Sequence, residues 1–494
     1  MASVETNSPP SNQLTKHPMA SLRELFALAF PLILTTFSAS LLNLTDRFML
    51  SHFSQDAWKA CSSAMNLLYL PQLGLIIIAS ISQAFTGHYK GAKKEKMIGP
   101  FIWQMIYFSL FTILIIYPLF LLGNVYLKGI EVESSAKSYF RILATANFLY
   151  PLGATLASFY MGRGKNSIVF FTSLTIQILN MVLDYILIFG VGDLVPSYGV
   201  QGAAIATVIS QGTYCLILFL LFRQKKYALP FSTNQWKFNP PLFWEGLKTG
   251  IPRSFGRSLA VGAWTVATYF VIQKGGDYLL VHTFGLTVFV ILSFVNEGMG
   301  QALLTFNSHA LASNSSHLFK KSLRSAIYFV IAMAVVLAIP LLIFRETMIL
   351  LFVKDSISPQ TLQFLNECCV WVWIAIIGGG INRIGASMVT AARDTVFYAW
   401  CMTIQWITLC IPIFIGIQNL GMSPSKFFLI EGLNSALIGV IFIFRFFKEP
   451  YRRLGPQSIR IKLFNSQKRR TPSELLNVGS KRALGRDNSY FNNN

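Results

Sequence analysis

Two polar residues lie one helical turn apart in a stretch that is otherwise apolar. Asn180 and Asp184 belong to the segment NMVLDYILIFG, and on a helix they share one face. A carboxylate inside a membrane span costs about 2.5–3.5 kcal/mol on insertion scales, so such residues are rare and usually line a cavity or an ion path. If the segment spans a membrane, the pair indicates movement of ions or solutes.

Two further polar residues are predicted to lie at a similar depth. Asp46 stands near the outward end of the first apolar segment, and Thr207 lies inside the sixth. At about 1.5 Å per residue, Asp184, Asp46 and Thr207 lie about 10, 6 and 12–14 Å below the outer edge. Carboxylate, amide and hydroxyl oxygens suit a small hard cation, and two carboxylates in a dry site equally suit a proton. The sequence therefore predicts a site for Na⁺ or H⁺ at Asp46, Asn180, Asp184 and Thr207.

A purely structural role for these groups stays open. Asp46 could pair with the adjacent Arg47 or with Arg141, and Asp184 could simply hydrogen-bond to a neighbouring helix. Successive residues on a helix point about 100° apart, which disfavours the pair with Arg47. Asp46 therefore remains available to a site between helices.

The elements that must position these residues are long and apolar. Of the 494 residues, 53% are hydrophobic and 12% are charged, far from the balance of a soluble globular protein. Runs of about 20 apolar residues, enough to cross a hydrocarbon core, recur along the chain. We predict an all-α membrane protein with twelve transmembrane helices, at Leu25–Leu50, Ala60–Thr86, Pro100–Leu122, Ser138–Met161, Ser167–Val191, Tyr198–Phe222, Gly246–Ile272, Tyr278–Phe306, Ser322–Phe344, Leu365–Ala391, Val396–Ile417 and Ser425–Phe446.

The net charge of +21 is concentrated in alternate loops. Loops on the side of the N-terminus carry many Lys and Arg residues, among them Lys93, Lys94, Lys225, Lys320 and Arg393, whereas the opposite loops carry few. By the positive-inside rule both termini are cytoplasmic. Because the basic residues follow a membrane topology, we expect lipid and a small-molecule substrate as partners, no nucleic acid, and a monomer.

Related motifs recur in the two halves of the chain. Pro31 and Pro252 open the first and seventh spans, and His88 and His309 follow the second and eighth, each pair 221 positions apart. Six spans per half is an even number, so the two copies share one orientation, as in transporters with parallel repeats. We predict a cytoplasmic N-terminal segment, a six-helix lobe, a cytoplasmic linker, a second six-helix lobe and a basic disordered cytoplasmic tail, at residues 1–24, 25–222, 223–245, 246–447 and 448–494.

The sequence lacks motifs for enzymatic chemistry. It has no nucleotide-cradling glycine motif, no HExxH pair and no nucleophile elbow. Its six cysteines lie in or beside the spans without the spacing of metal ligands. We expect no enzyme activity, no cofactor other than a coupling ion, and cysteines that only pack.

Several motifs resemble those of the multidrug and toxic compound extrusion (MATE) transporters, in their bacterial drug/cation antiporter branch. They are FPLILTTFSASLLNLTDRFMLSHF in the first span, GHYKGAKKEK after the second, NMVLDYILIFG in the fifth and YGVQGAAIATVISQ entering the sixth. Their order and spacing make the combination specific. The resemblance implies a fold of the MOP superfamily with two parallel six-helix repeats, an inner (cytoplasmic) membrane location, and a cation or proton site at Asp46, Asn180, Asp184 and Thr207.

The second half departs from the family pattern. Many relatives carry acidic residues on the seventh and tenth helices, where this sequence has Ala260 and Gly379. Ion coupling is therefore expected in the first half only. The charged residues of the second half stand elsewhere, at Arg253, Arg257, Glu297, Arg383 and Glu431.

These charges allow two interpretations. A glutamate could neutralise an arginine within the bundle, because intramembrane charges usually pair. Alternatively, Arg257, Arg383 and Glu297 line a substrate cavity. Arginines that face such a cavity would attract an anionic or zwitterionic compound and repel lipophilic cations.

Together these features predict a secondary active efflux transporter. It would export small amphiphilic compounds in exchange for Na⁺ or H⁺ while its lobes rock about their interface, with Pro31 as a hinge in the first helix. A flippase or exporter of an anionic or lipid-linked compound is the alternative within transport. A non-transporting membrane scaffold is the alternative of another class, and its properties would not depend on Asp184.

Overall fold

A computed structural model describes residues 13–313, 315, 317–352 and 357–448 of the chain. Within those ranges, twelve helices are long and apolar enough to cross a membrane. The β-pairing found there is one isolated bridge between Val191 and Val195. The prediction of an all-α protein with twelve transmembrane helices is confirmed. The predicted basic tail, beyond Lys448, lies outside the described residues, as do residues 1–12.

The first half contributes six spans, at Leu22–Phe53, Gln55–Gly91, Glu95–Gly123, Glu133–Met161, Asn166–Phe189 and Gly199–Phe222. The second span consists of two helices, Gln55–Ser80 and Ser82–Gly91, and the fourth of Glu133–Thr145 and Leu149–Met161. The helix of the third span is Ile98–Tyr126. A short helix, Lys225–Phe231, follows the sixth span.

The second half contributes six more, at Pro240–Ile272, Gly276–Ala312, His317–Ile343, Pro359–Ala391, Thr395–Asn419 and Lys426–Lys448. The eighth span consists of Gly276–Leu292 and Phe294–Ala312, and a short helix, Arg345–Phe352, follows the ninth. The ninth and eleventh spans contain π-helical turns, at Ile339–Ile343, Trp406–Cys410 and Ile415–Asn419. Such wider turns interrupt the regular α-helical hydrogen bonding.

Several spans begin earlier than the apolar runs predicted. The seventh begins at Pro240 rather than Gly246, because the side chain of Asn239 caps the helix and accepts a hydrogen bond from the N–H of Leu242. Proline fits the first helical position, where its missing N–H is not needed. The second and tenth spans also begin early, each after a serine cap. The apolar pattern marks the part that crosses the membrane, whereas the cap sets where the helix starts.

The same helix-ending motif occurs at corresponding places in the two halves. Gly164 and Arg393, 229 positions apart, have positive φ angles of 76° and 61°. The next N–H in each case bonds back to the carbonyl five residues earlier, that of Tyr160 at 2.9 Å and that of Val389 at 3.1 Å. This is the Schellman ending of a helix. Its recurrence matches the predicted pair of parallel repeats.

The halves are joined at the helix ends that carry the basic loops. Nε2 of Gln83, in the second span, donates to Oγ1 of Thr305 at 2.8 Å and to the carbonyl of Gln301 at 2.9 Å, both in the eighth span. Oγ1 of Thr305 in turn donates to the carbonyl of Met161 at 3.0 Å. Thr305 is fully buried, so water does not compete for these bonds.

Close backbone approach completes this contact. A Cβ atom added to Gly91 would overlap the carbonyl oxygen of His309, so the two helices meet only because residue 91 is glycine. The guanidinium of Arg393 lies 3.8 Å from the ring centroid of Phe85 and forms a 2.5 Å ion pair with Glu245. We refer to Gln83, Thr305, Gly91, His309, Phe85 and Arg393 as the closed end.

The connection between the halves packs onto the first half. The guanidinium of Arg163 lies 4.4, 4.7 and 4.1 Å from the ring centroids of Phe159, Tyr227 and Phe231. Burial lowers the pKa of Arg163 from its ordinary value. Nε1 of Trp103 donates to the carbonyl of Thr233 at 2.9 Å, and Nε2 of Gln104 donates to that of Lys237 at 3.1 Å. Most of the linker is therefore fixed to the first six spans.

Candidate functional site

A pair of carboxylates, one buried and one half-buried, lies in the first half. Asp184 is fully buried, and its Oδ2 accepts a hydrogen bond of 2.9 Å from Nδ2 of Asn180. The helix places both on one face, as their spacing predicted. The carboxyl group of Asp46, on the first span, lies within hydrogen-bonding reach of that of Asp184. Three of the four residues predicted for the cation site are thus brought together.

One oxygen of each carboxylate remains open to a further ligand. Within the described part of the chain, Oδ1 of Asp46 and Oδ1 of Asp184 are buried and have no hydrogen-bond partner. Arg47, next to Asp46, is exposed. Two buried acids in contact repel each other when both are ionised, so the arrangement suits a cation or a proton between them.

Thr207 is positioned differently from the other three. Its Oγ1 donates to the carbonyl of Ala203, within the sixth span, at 2.9 Å. The contacts found among the described residues include none between Thr207 and either carboxylate. In the same part of the structure, no group of three or more His, Cys, Asp or Glu residues is placed to hold a metal ion. An ion here would be held by two carboxylates with amide or hydroxyl oxygens.

Several residues near the pair were not predicted from the sequence. The side chain of Cys61 lies beside that of Tyr139, and the side chain of Tyr150 lies beside that of Gln72. Each of Cys61, Tyr139 and Tyr150 is close enough to Asp46 to interact with it electrostatically. The tyrosines are spaced by about three helical turns on the fourth span, a signal that could have placed them on one face.

A second polar region is a cavity of about 560 Å³ between the halves. Small-molecule sites commonly have volumes of this order. On the wall of the cavity, Oγ1 of Thr36 in the first span lies 3.1 Å from the carbonyl oxygen of Phe294 in the eighth, across the interface, and 2.9 Å from that of Ile33 in its own helix. Most of the remaining wall comes from the seventh, eighth, tenth, eleventh and twelfth spans, so the cavity belongs mainly to the second half.

Two arginines and two glutamates line this cavity. Nη2 of Arg383 and Oε2 of Glu297 form an ion pair of 2.5 Å. Oε1 of Glu431 accepts a hydrogen bond of 2.9 Å from Oγ of Ser435. Arg257 lies on the seventh span. Arg383 and Glu297 are therefore paired with each other and also face the cavity, so the two interpretations of these charges do not exclude each other.

The cavity and the carboxylate pair are separate. Neither Asp46 nor Asp184 is found among the described residues that line the cavity, whereas Ala260 and Gly379 line it. Ala260 and Gly379, the positions compared with the acidic residues of many relatives, are thus apolar. The first span connects the two regions, because it carries both Asp46 and Thr36.

The match to a known protein family follows the internal repeat of the chain. A family model described as MatE matches the chain twice, at residues 31–186 and 252–415. The matches begin 221 positions apart, the offset that relates Pro31 to Pro252. Together they cover more than half of the chain.

Individual relatives and solved structures extend this match. A probable multidrug resistance protein NorM of Thermotoga maritima is 24% identical over 71% of this chain and 76% of its own length. A probable multidrug resistance protein YoeA of Bacillus subtilis is 24% identical over 81% of this chain and 88% of its own. The crystal structure of a MATE protein in complex with MaL6 gives a TM-score of 0.77 at 15% identity, covering 89% of this chain and 98% of the other.

An outward-facing multidrug resistance MATE family transporter of the MOP superfamily gives a TM-score of 0.76 at 15% identity, with the same coverage of 89% and 98%. At such identities the likeness shows the fold, and the predicted architecture of twelve helices in two parallel six-helix repeats is confirmed. With two matches of one family model over two related halves, the chain belongs to the MatE family of membrane transporters.

Proposed function

We propose that this protein is a secondary active efflux transporter that exports small amphiphilic compounds in exchange for Na⁺ or H⁺. Membership of its family makes the chain a transporter rather than an enzyme. The observation that carries the proposal is the contact between the half-buried carboxyl group of Asp46 and the buried carboxyl group of Asp184. Relatives named as probable multidrug resistance proteins support amphiphilic cargo.

The carboxylate pair gives a physical reason for ion binding. Two ionised acids repel far more strongly in a low-dielectric interior than in water, and one bound Na⁺ or H⁺ removes that cost. Nδ2 of Asn180 donates a hydrogen bond to Oδ2 of Asp184. The Oδ1 atoms of Asp46 and Asp184 have no such partner in the ranges that the structure describes, and they would bind the ion. Thr207 would supply a further oxygen once its hydroxyl turns away from Ala203. The ion itself is carried across the membrane in exchange for the exported compound, and no cofactor other than this ion is proposed.

The closed end is proposed to face the cytoplasm. The basic loops lie at that end, and the positive-inside rule places such loops inside the cell, with both termini cytoplasmic in the inner membrane. The cavity would then serve the outward-facing state, and rocking of the halves would expose it to the other side. Pro31 lacks the N–H for a helical hydrogen bond and would let the first span bend. Because the cavity is complete within one chain, a monomer suffices.

The ion gradient supplies enough energy for export. One charge that moves down 100 mV supplies about 2.3 kcal/mol, which supports about a fifty-fold concentration ratio of cargo at equilibrium. The test is efflux of cationic and zwitterionic dyes from liposomes under imposed Na⁺ or proton gradients. Asp184→Asn should bring the cargo ratio close to one, because the variant cannot bind the driving ion between two acids.

Asp193→Asn is the matched control, since Asp193 is an exposed acid just beyond the same span. It should export as the parent does. Gradient-driven export that persists in Asp184→Asn, or that is lost equally in Asp193→Asn, would contradict the assignment of the coupling site. If folded protein moved no dye under any gradient, the alternative of an anionic or lipid-linked cargo would be favoured.

A further inference from the structure

We infer that the cavity binds a zwitterionic amphiphile, whose anionic group pairs with Arg257 and whose cationic group lies at Glu431. This inference rests on the proposed function, because it takes the cavity as the place where cargo binds. It narrows the cargo from amphiphiles in general to those that carry both charges. Charges of the cavity wall that lack a partner within the protein are the ones available to such a ligand.

One arginine of the wall is already neutralised. The ion pair between Arg383 and Glu297 has an N–O distance of 2.5 Å, and the side chain of Gln301 lies beside Glu297. A ligand would have to break this pair to use either charge. Arg383 and Glu297 therefore shape the wall, but they are poor candidates for recognising a charged group.

Arg257 is the other arginine that lines the cavity, and it forms no ion pair with the described residues. Among the residues that the structure describes, no carboxylate oxygen lies within ion-pair distance of its guanidinium, although Glu297 and Glu431 are near enough to attract it. Arg253, one turn earlier on the same span, is turned away from the cavity and its Nη1 donates to Oγ of Ser80 at 3.4 Å. Charges within a membrane protein usually find partners, so the open guanidinium of Arg257 favours an anionic group of the ligand.

Acceptors without partners stand on the eleventh and twelfth spans. Glu431 is only 7% exposed, its Oε1 is bonded to Ser435, and its Oε2 has no partner among the described atoms. Oε1 of Gln405, also on the wall, is likewise buried and unpartnered in that set. A buried acceptor without a donor destabilises the protein, and a cationic or donor group of a ligand would remove that cost.

The rest of the wall fits the body of an amphiphile. Trp264, Phe289, Phe294 and Met402 line the same space. Aromatic faces stabilise flat apolar rings and delocalised cations. With a volume of about 560 Å³, the cavity holds one ligand of drug size. A flat aromatic compound with one carboxylate and one delocalised cation meets all these conditions.

The test uses two dyes that differ in one group. Rhodamine B carries a free carboxylate and a delocalised cation, whereas its ethyl ester keeps only the cation. Binding of each dye to the purified full-length protein in lipid nanodiscs is measured by fluorescence anisotropy without any gradient. Rhodamine B should bind at least about tenfold more tightly than the ester, and Arg257→Gln should remove this preference, a change of about 1.4 kcal/mol.

Two further variants control for folding and for charge. Arg253→Gln removes the same charge one turn away and should leave both affinities unchanged. Arg257→Lys keeps a cation in the cavity and should retain part of the preference even if Arg257→Gln is unstable. Tighter binding of the ester by the parent protein, or an unchanged preference in folded Arg257→Gln, would overturn the inference.

Failure of this inference can be told apart from failure of the proposed function. If the parent exports the ester under a gradient but does not bind rhodamine B, the zwitterion is wrong and the antiporter stands. If rhodamine B binds in an Arg257-dependent way but no gradient moves either dye, the binding site stands and the antiporter is wrong.

Discussion

The hydroxyl of Thr305 offers a direct way to weaken the closed end. Thr305→Val keeps the shape of the side chain but removes the bond donated to the Met161 carbonyl and the one accepted from Gln83. Both bonds exist only while the halves are in contact there. The substitution should therefore destabilise the closed arrangement without a comparable effect on the open one.

The size of the effect follows from what each partner retains. The carbonyl of Met161 still accepts a hydrogen bond from the N–H of Gly164 at 2.9 Å, and Gln83 keeps its bond to Gln301 at 2.9 Å. No partner is left wholly unsatisfied, so the loss is that of two ordinary hydrogen bonds. That amounts to about 1–2 kcal/mol, or about a 5–30-fold shift of the equilibrium toward opening at this end.

Spin labels can measure this shift by double electron–electron resonance. All six native cysteines are buried, so cysteines introduced at the exposed positions Lys96 and Lys320, one in each half, should react selectively. Thr305→Val should raise the ratio of the long-distance to the short-distance population by about 5–30-fold. Thr403→Val is the matched control, because Oγ1 of Thr403 bonds only within its own helix, to the carbonyl of Ala399. The same distance distribution in parent and Thr305→Val would refute the closed end as a barrier held by these bonds.

Two other substitutions test the closed end and the cavity wall. Gly91→Ala should push the halves apart, because the new Cβ overlaps the His309 carbonyl, and the same spin-label pair should report a longer distance. Gly212→Ala is the control: the nearest neighbour of its new Cβ would lie at 3.9 Å, so the distance should not change. Glu297→Gln should lower the temperature of thermal unfolding, since it leaves Arg383 without its counter-charge, at a cost of about 1–2 kcal/mol for a partly exposed pair. The double variant Glu297→Gln/Arg383→Gln should recover part of that loss, and a loss equal to the sum of the single variants would contradict the pairing.

The membrane explains how much of the site could be predicted. It fixes the direction of each span, so the position of a residue along the chain becomes a depth, and Asp46 was expected at the level of Asp184 on that ground alone. Spacing within one helix placed Asn180 on the same face as Asp184. The depth of Asp46 and the shared face of Asn180 and Asp184 follow from local helix geometry and the bilayer thickness alone.

The depth of a residue in the membrane does not show how its helix is rotated about its own axis. The hydroxyl of Thr207 bonds within its own helix, and nothing in the sequence could show this. The choice of Glu297 rather than Glu431 as the partner of Arg383 depends on how three separate spans pack. The same is true of Cys61 and Tyr139, which become neighbours of Asp46 only after the second and fourth spans meet the first.

The packing of the linker has a mechanical consequence for the whole transporter. Because Arg163 holds the short helix Lys225–Phe231, and Gln104 holds Lys237, the polypeptide moves with the first six spans almost to the start of the seventh. The joint is therefore short and lies at Asn239, where the next helix is capped. A long flexible tether would let the halves drift laterally in the bilayer, whereas a joint of this kind confines them to pivoting. If the chain were divided into two separately expressed pieces, the natural cut would be after Lys237, which leaves the Asn239 cap with the seventh helix, and not in the polar stretch that follows the sixth span.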